Sequence, residues 1–155
     1  MTYRPIFQQE ILVQGFETVS TTAKQTLGSR YKGKDDVTGQ VAEFTYVKFA
    51  GVTELGKAMR FEDKDNLAYS LSATGSGKVG LAMTTAAAND YGWLLVYGAG
   101  NVLAASAAAG APVLTTGTAG TVTDQAGGDT LTDIHFTGAV VSGKAPVDLN
   151  YPKVL

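Results

Sequence analysis

The sequence predicts a mainly β protein: a compact antiparallel β-sandwich or barrel preceded by an extended N-terminal arm. Three observations predict it. Short runs with apolar/polar alternation recur at roughly 8–12-residue spacing, bounded by turn residues. Glycine supplies 19 of 155 residues, above the usual ~7%, as a chain with many tight turns requires. Helical periodicity is scarce, so helix is expected in less than about 15% of the chain.

The elements follow in chain order. Residues 1–18 hold the apolar clusters Ile6-Phe7 and Ile11-Leu12-Val13, in which neither helix nor strand period wins. Thr18 to Lys34 is rich in Thr, Ser, Gly and Lys and reads as an extended loop or arm, ordered by something outside the domain. The boundary is set at residues 1–42 for the arm and 43–155 for the β domain. Glu43–Phe49 is β-rich and ends at Gly51. Gly56–Phe61 is a second short strand. Leu67, Tyr69 and Leu71 alternate with polar or small residues, as do Val79, Leu81 and Met83. Tyr91–Tyr97 is the strongest strand, closed off by Gly98-Ala99-Gly100. Val113–Thr116 and Gly120–Thr123 flank a Gly117-Thr118-Ala119 turn. Ile134–Val141 and Ala145–Leu149 flank a Ser142-Gly143-Lys144 turn, which makes about nine strands. Ala104–Ala109 has helix propensity, and Gly110 and Pro112 stop it after about one turn.

Composition removes several classes of function. The chain has no Cys and one His, which excludes disulfides, thiolate chemistry, Cys-based zinc sites and a His-rich metal site within one chain. The formal net charge of −2 argues against a nucleic-acid or membrane-surface binder. No apolar run approaches the ~18 residues that span a bilayer, and the start Met-Thr-Tyr-Arg-Pro has no secretory pattern, so use without secretion is expected.

Charge is unevenly placed. Residues 1–34 carry a net +3 and residues 35–155 a net −5. From Val79 to Gly143 there is no Lys or Arg, and the formal charges are Asp90, Asp124, Asp129 and Asp133. A lone domain dresses its surface with charges of both signs. Two readings stand: a Thr-faced β-sandwich, or a repeated subunit packed against copies of itself.

The motifs that bear on chemistry are weak. Gly75-Ser76-Gly77-Lys78-Val79-Gly80 matches G-x-G-x-x-G, but it lacks the buried strand before, the helix after and the acid ~20 residues on. It reads as a hairpin turn. His135 and Asp133 fall on one face of a strand without a nucleophile turn, and a half-buried strand histidine is the expectation. Asp124, Asp129 and Asp133 do not have calcium-loop spacing. Glu62, Asp63, Lys64 and Asp65 read as a solvated turn. Tyr91, Trp93 and Tyr97 recur at strand period, as core or subunit-interface residues. No cofactor and no metal are expected.

Several of these stretches together resemble a known family. They are Leu27-Gly28-Ser29-Arg30, Phe44-Thr45-Tyr46-Val47 with Gly51, Val79–Met83, Tyr91–Gly98, Ala107–Val113 with Gly120, and Leu149-Asn150-Tyr151-Pro152. Over roughly residues 27–152 the chain is similar to the Gly/Ala-rich β type of capsid decoration, or cement, proteins of tailed bacteriophages. The resemblance implies a compact, tulip-like β domain, often trimeric, on the outer surface of the virion, with an extended N-terminal arm and no catalytic residues. It also implies assembly in the host cytoplasm.

The expectation is therefore a structural protein and not an enzyme. Its partners are the major capsid protein and itself, as a homotrimer, without nucleic acid or membrane. Capsid contact is assigned to arm residues Arg4, Ile6, Phe7, Ile11, Leu12, Lys24, Arg30, Lys32 and Lys34. Tyr91, Trp93 and Tyr97 are assigned to the core or interface. Two alternatives are kept: a surface β domain that binds glycans through Trp93 and Tyr91, and a small enzyme built on His135 and Asp133.

Overall fold

A computed structural model describes residues 3–5 and 14–154, and every regular element in them is a strand. The strands are β1 (Tyr3–Pro5), β2 (Arg30–Asp35), β3 (Val41–Phe49), β4 (Ala58–Phe61), β5 (Leu67–Ser70), β6 (Gly77–Ala82), β7 (Tyr91–Ser106), β8 (Pro112–Thr115), β9 (Val122–Thr123), β10 (Thr130–Phe136) and β11 (Lys144–Val154). They form one mixed sheet that folds back on itself.

Two closed circuits of pairing explain the shape. In the first, β3 pairs with β5, β5 with β4, β4 with β6, β6 with β7, and β7 with β3. In the second, β7 pairs with β11, β11 with β10, β10 with β8, β8 with β9, and β9 with β7. The long strand β7 serves both. Closure leaves few strand edges open, which protects a chain of short strands from edge-to-edge association.

The strand period sorts the core. Val47, Phe49, Met59, Phe61, Ala68, Ala82, Leu94 and Val96 face into the first circuit and form one buried cluster with Ala86. The alternate residues of the same strands, among them Phe44, Tyr46, Leu81, Trp93 and Leu95, face the other way. They join a larger cluster that continues into the second circuit through Val102, Val113, Leu131, Phe136, Val147 and Leu149. Because both faces of β3 are covered, six consecutive residues, Ala42–Val47, are buried.

β7 turns from one circuit into the other near Gly98. Glu43 pairs with Tyr97 and Phe44 with Leu95, so Val96 is an extra residue on β7 and the register slips. Gly98 has φ +104°, and a Cβ there would meet the carbonyl oxygen of Val41 at 2.8 Å. Only glycine fits this backbone beside that neighbour.

The mainly β reading holds, with four differences. Among the described residues there are eleven strands; β1 and β2 were not anticipated. Two pairings, β3–β5 and β7–β9, are parallel, because each circuit closes through a crossover and not a hairpin. β7 runs on through the Gly98–Gly100 break and through Ala104, which pairs with Val122. Burial of Val102 and Ala104 overrides the local helix propensity. Finally, Gly75–Gly77 is not a hairpin turn. β5 and β6 flank β4 and do not pair with each other, so the glycines, with φ of +148° and +125°, carry a crossing loop. Ser142 and Gly143, with φ of +53° and +77°, make the tight turn expected there, closed by the Val141–Lys144 bridge.

Candidate functional site

The segment expected to be a free-standing arm is, in its described residues, built into the domain. Phe16 is buried, stacks on Phe44 with ring centres 4.2 Å apart, and meets Trp93 edge-on at 5.2 Å. Gln14 is a buried polar hub. Its side-chain amide donates to the carbonyls of Thr18 (3.0 Å) and Tyr91 (2.9 Å), and its Oε1 accepts from the Tyr46 hydroxyl (2.5 Å). The Trp93 indole N–H donates to the Gln14 carbonyl at 3.0 Å. Ser20 exchanges two backbone hydrogen bonds with Tyr91, and Gly28 and Ser29 pair with Tyr46. The segment 14–29 is thus irregular, as its composition indicates, but this chain's own strands satisfy its polar groups. The boundary at residue 42 gives way for the same reason: β2 pairs with β3 along five residues, and β1 pairs with β2.

Three surfaces stand out. The first is a basic stripe. On β2, Arg30, Lys32 and Lys34 alternate outward with the inward Tyr31, Gly33 and Asp35. Arg4 sits opposite Lys34 on β1, its Nε 2.9 Å from Asp36. Lys24 is exposed, and its backbone N–H donates to the Tyr46 hydroxyl. Ile6, Phe7, Ile11 and Leu12 lie outside the described residues.

The second is an aromatic and charged cluster where β11 meets β3. Tyr97 and Tyr151, each about two-fifths exposed, lie with ring centres 5.5 Å apart and planes tilted by 32°. The Tyr151 hydroxyl donates to Glu43 Oε2 at 2.5 Å. The Arg30 guanidinium sits 5.6 Å from the Tyr151 ring centre and 3.9 Å from Glu43 Oε1. The hydrogen bond to Glu43, then burial and the Glu43 charge, push the Tyr151 phenol up to about 12. Tyr151 has φ +56°, a left-handed backbone that bulky side chains rarely adopt. It breaks the alternation of β11, since Asn150 and Tyr151 are both exposed between buried Leu149 and Pro152. A hollow of about 350 Å³ is lined by Lys32, Val41, Glu43, Tyr97 and Tyr151. A second hollow, of about 430 Å³, shares Tyr97 with it and is lined also by Gln40, Asp148 and Asn150.

The third is the outer surface of the second circuit. Its exposed positions are mostly Ala, Gly and Thr, among them Ala105, Ala109, Gly117, Thr118, Thr130 and Thr137, with Asp133, His135, Asp148 and Lys153 on β10 and β11. All ion pairs among the described residues fall between Arg4 and Lys78. A mostly apolar groove of about 1030 Å³ adjoins this surface, lined among others by Leu55, Met83, Ala139, Val141, Pro146 and Lys144.

The residues assigned from sequence are dispersed by this geometry. Trp93 is fully buried and Tyr91 half-buried, Tyr46 stacking with it at 6.4 Å. Trp93 and Tyr91 therefore do not form the exposed glycan platform considered from sequence. Tyr97 is not core. His135 is exposed on β10, opposite Asp148, and not half-buried. Asp133 has φ +61° at a register slip and makes no hydrogen bond or ion pair with His135 among the described residues. Gln14, Glu43 and Tyr151 carry the best-defined polar geometry and were not singled out. Tyr151 lay in the quoted Leu149–Pro152 stretch, but nothing in its spacing announces the partner 108 residues away. Comparison with family models, with curated proteins and with solved structures gave no match to this chain.

Proposed function

We propose that the chain is a structural virion protein: a decoration protein that binds the outside of a tailed-phage capsid and clamps neighbouring major capsid protein subunits as a homotrimer. The observation that carries this reading is the Ala-, Gly- and Thr-rich outer surface that the second circuit forms ahead of β11, where no Lys or Arg falls. A surface of Ala, Gly and Thr costs little to desolvate, whereas an unpaired charge buried in a contact costs several kcal/mol. Such a surface suits packing against copies of itself and against a repeated lattice, where closed symmetry and many identical contacts add up. The resemblance over residues 27–152 points the same way. The basic stripe of Arg4, Arg30, Lys32 and Lys34 then serves as a second contact, toward an acidic shell surface. Exposed charges at that contact are screened beyond ~8–10 Å, so its contribution weakens with salt.

The test is co-sedimentation with undecorated shells of the phage that encodes the chain, together with sedimentation velocity of the free protein. Wild type should pellet with shells and form trimers in solution or on the particle. The triple variant Ala105→Lys, Ala109→Lys, Thr130→Lys should change stability by no more than about 0.5 kcal/mol per substitution, because these positions are exposed, and should lose shell binding. A protein that stays monomeric and never pellets with shells refutes the proposal.

A further inference from the structure

The Tyr97 and Tyr151 side chains lie outside both buried clusters, yet Tyr151 is a bulky residue in a left-handed backbone. Strain of this kind persists where the surroundings impose it, and it gathers at ligand sites. Here the bulge at Asn150–Tyr151 brings the Tyr151 ring beside Tyr97, and the hydroxyl's bond to Glu43 holds it there. The result is a pair of exposed aromatic rings that line one hollow together, with Tyr97 also lining a second, each of a size seen in small-ligand sites.

We propose that Tyr97 and Tyr151 form a stacking platform for a neutral pyranose unit of a glycan, with Glu43, Arg30, Lys32 and Asn150 addressing its hydroxyls. The chemistry selects this class. An aromatic face is electron-rich and favours the slightly positive C–H face of a sugar ring. Sugar hydroxyls both donate and accept. The cluster offers a carboxylate that accepts, a guanidinium and an ammonium that donate, and an amide that does both. A nucleobase would also stack, but nucleic-acid sites add net positive charge for the phosphates. Here Arg30 and Lys32 are balanced by Glu43 and Asp148. The proposal does not rest on capsid binding.

The test is fluorine NMR of the full chain labelled with fluorotyrosine, with each resonance assigned by Tyr→Phe variants. The probes are cellotetraose, maltotetraose and chitotetraose, with tetragalacturonate and AMP as charged and nucleobase controls. At least one neutral oligosaccharide should give saturable shifts confined to Tyr97 and Tyr151. Tyr97→Ala should weaken that binding about tenfold or more, and Tyr97→Phe, which keeps the ring, should retain it. If Tyr97→Ala fails to fold, Tyr97→Thr replaces it, since Thr keeps β propensity. Absence of saturable shifts up to about 10 mM of all three neutral probes overturns the proposal. Binding unchanged by loss of the Tyr97 ring does the same, as does equal or tighter binding of AMP or tetragalacturonate.

Discussion

The circuit β3–β5–β4–β6–β7 and the circuit β7–β11–β10–β8–β9 each join five strands through four antiparallel pairings and one parallel pairing. They fill and dress themselves differently. The first encloses Phe49, Met59 and Phe61, lies against the Phe16–Phe44–Trp93 aromatics, and carries ion pairs at Arg60–Glu62, Lys64–Glu62 and Lys78–Asp63. The second is packed mainly with Val, Leu and Ala, and shows mostly Ala, Gly and Thr to solvent, with Asp133, His135, Asp148 and Lys153 among them. Since both close equally well, surface charge is not what this pairing scheme needs in order to form. Ion pairs on the first circuit, and none on the second among the described residues, are then open to explanation by what each surface meets.

The largest effect should come from breaking the aromatic join that ties residues 14–29 to the first circuit. Phe16→Ala is expected to cost about 3–5 kcal/mol, because a fully buried ring is replaced by a cavity beside Phe44 and Trp93. Equilibrium unfolding in urea, followed by the Trp93 signal, measures it. Removing residues 1–34 should go further and leave no stable domain. It strips Gln14 and Phe16, most of β2, and the acceptor for the Trp93 indole N–H. A well-folded truncated protein would show that the first circuit stands without this cover.

Next is the pivot between the circuits. Gly98→Ala places a Cβ 2.8 Å from the Val41 carbonyl oxygen at φ +104°, and about 1–3 kcal/mol of destabilisation is expected. Gly117→Ala on the second circuit has nothing within 4 Å and no positive φ. It should be neutral or slightly stabilising, as a loop glycine replaced without strain. Thermal unfolding of the two variants side by side separates backbone necessity from mere glycine richness.

These two positions also show what a sequence reveals of such a fold. Alternation located most of the strands, because each buries at least one face and the side-chain period is fixed by the pleat. The high glycine content signalled turns, and the structure adds close approaches, as at Gly98. Strand order was not legible, since parallel closure of β3 on β5 and β9 on β7 leaves no local mark. β2 was missed because its inward face is Tyr31, Gly33 and Asp35. A glycine and an aspartate conceal a buried face, and Gly33 is there because a Cβ would crowd Phe16, Tyr3 and Phe44 at 3.0–3.2 Å. Gln14 was invisible for the same kind of reason: its value lies in partners at Tyr46, Tyr91 and Trp93. The exposed Tyr97–Tyr151 pair depends on a bulge that no spacing rule announces.

A smaller effect tests the link between β11 and β3. The Tyr151 phenol is raised to about 12 in the folded chain, against an ordinary value of ~10. A raised value means the protonated form is favoured by folding. The link's stabilisation is therefore fully present below pH ~10 and lost as pH rises through about 12. Tyr151→Phe should remove about 0.5–1.5 kcal/mol at neutral pH and flatten the alkaline part of the stability curve. Burial also raises the Tyr3 and Tyr46 phenols, so tyrosinate absorbance should show several phenols ionising later than exposed tyrosines in wild type, with one of those late steps missing in the variant. An unchanged set of late steps would assign them to other tyrosines.

The smallest effect bears most directly on the unlike surfaces. Lys78 and Asp63 pair on the first circuit with both side chains well exposed, and the hydrogen bond from Lys78 holds the Asp63 carboxyl below its usual range. A depressed carboxyl stabilises the fold above its ordinary pKa and loses that contribution as pH falls through the folded value. For an exposed pair the contribution is small, since solvent and side-chain entropy offset the attraction. A double-mutant cycle with Lys78→Gln and Asp63→Asn should give a coupling of about 0.2–1 kcal/mol that vanishes in high salt. That outcome would mean the second circuit forgoes almost nothing in stability by lacking ion pairs, so its bare surface is free to be shaped by contact with neighbours. A salt-insensitive coupling well above that range would make the ion pairs part of what holds the first circuit closed. The second circuit would then be the weaker of the two, and its lack of ion pairs would be a deficit in need of a compensating contact rather than an adaptation to one.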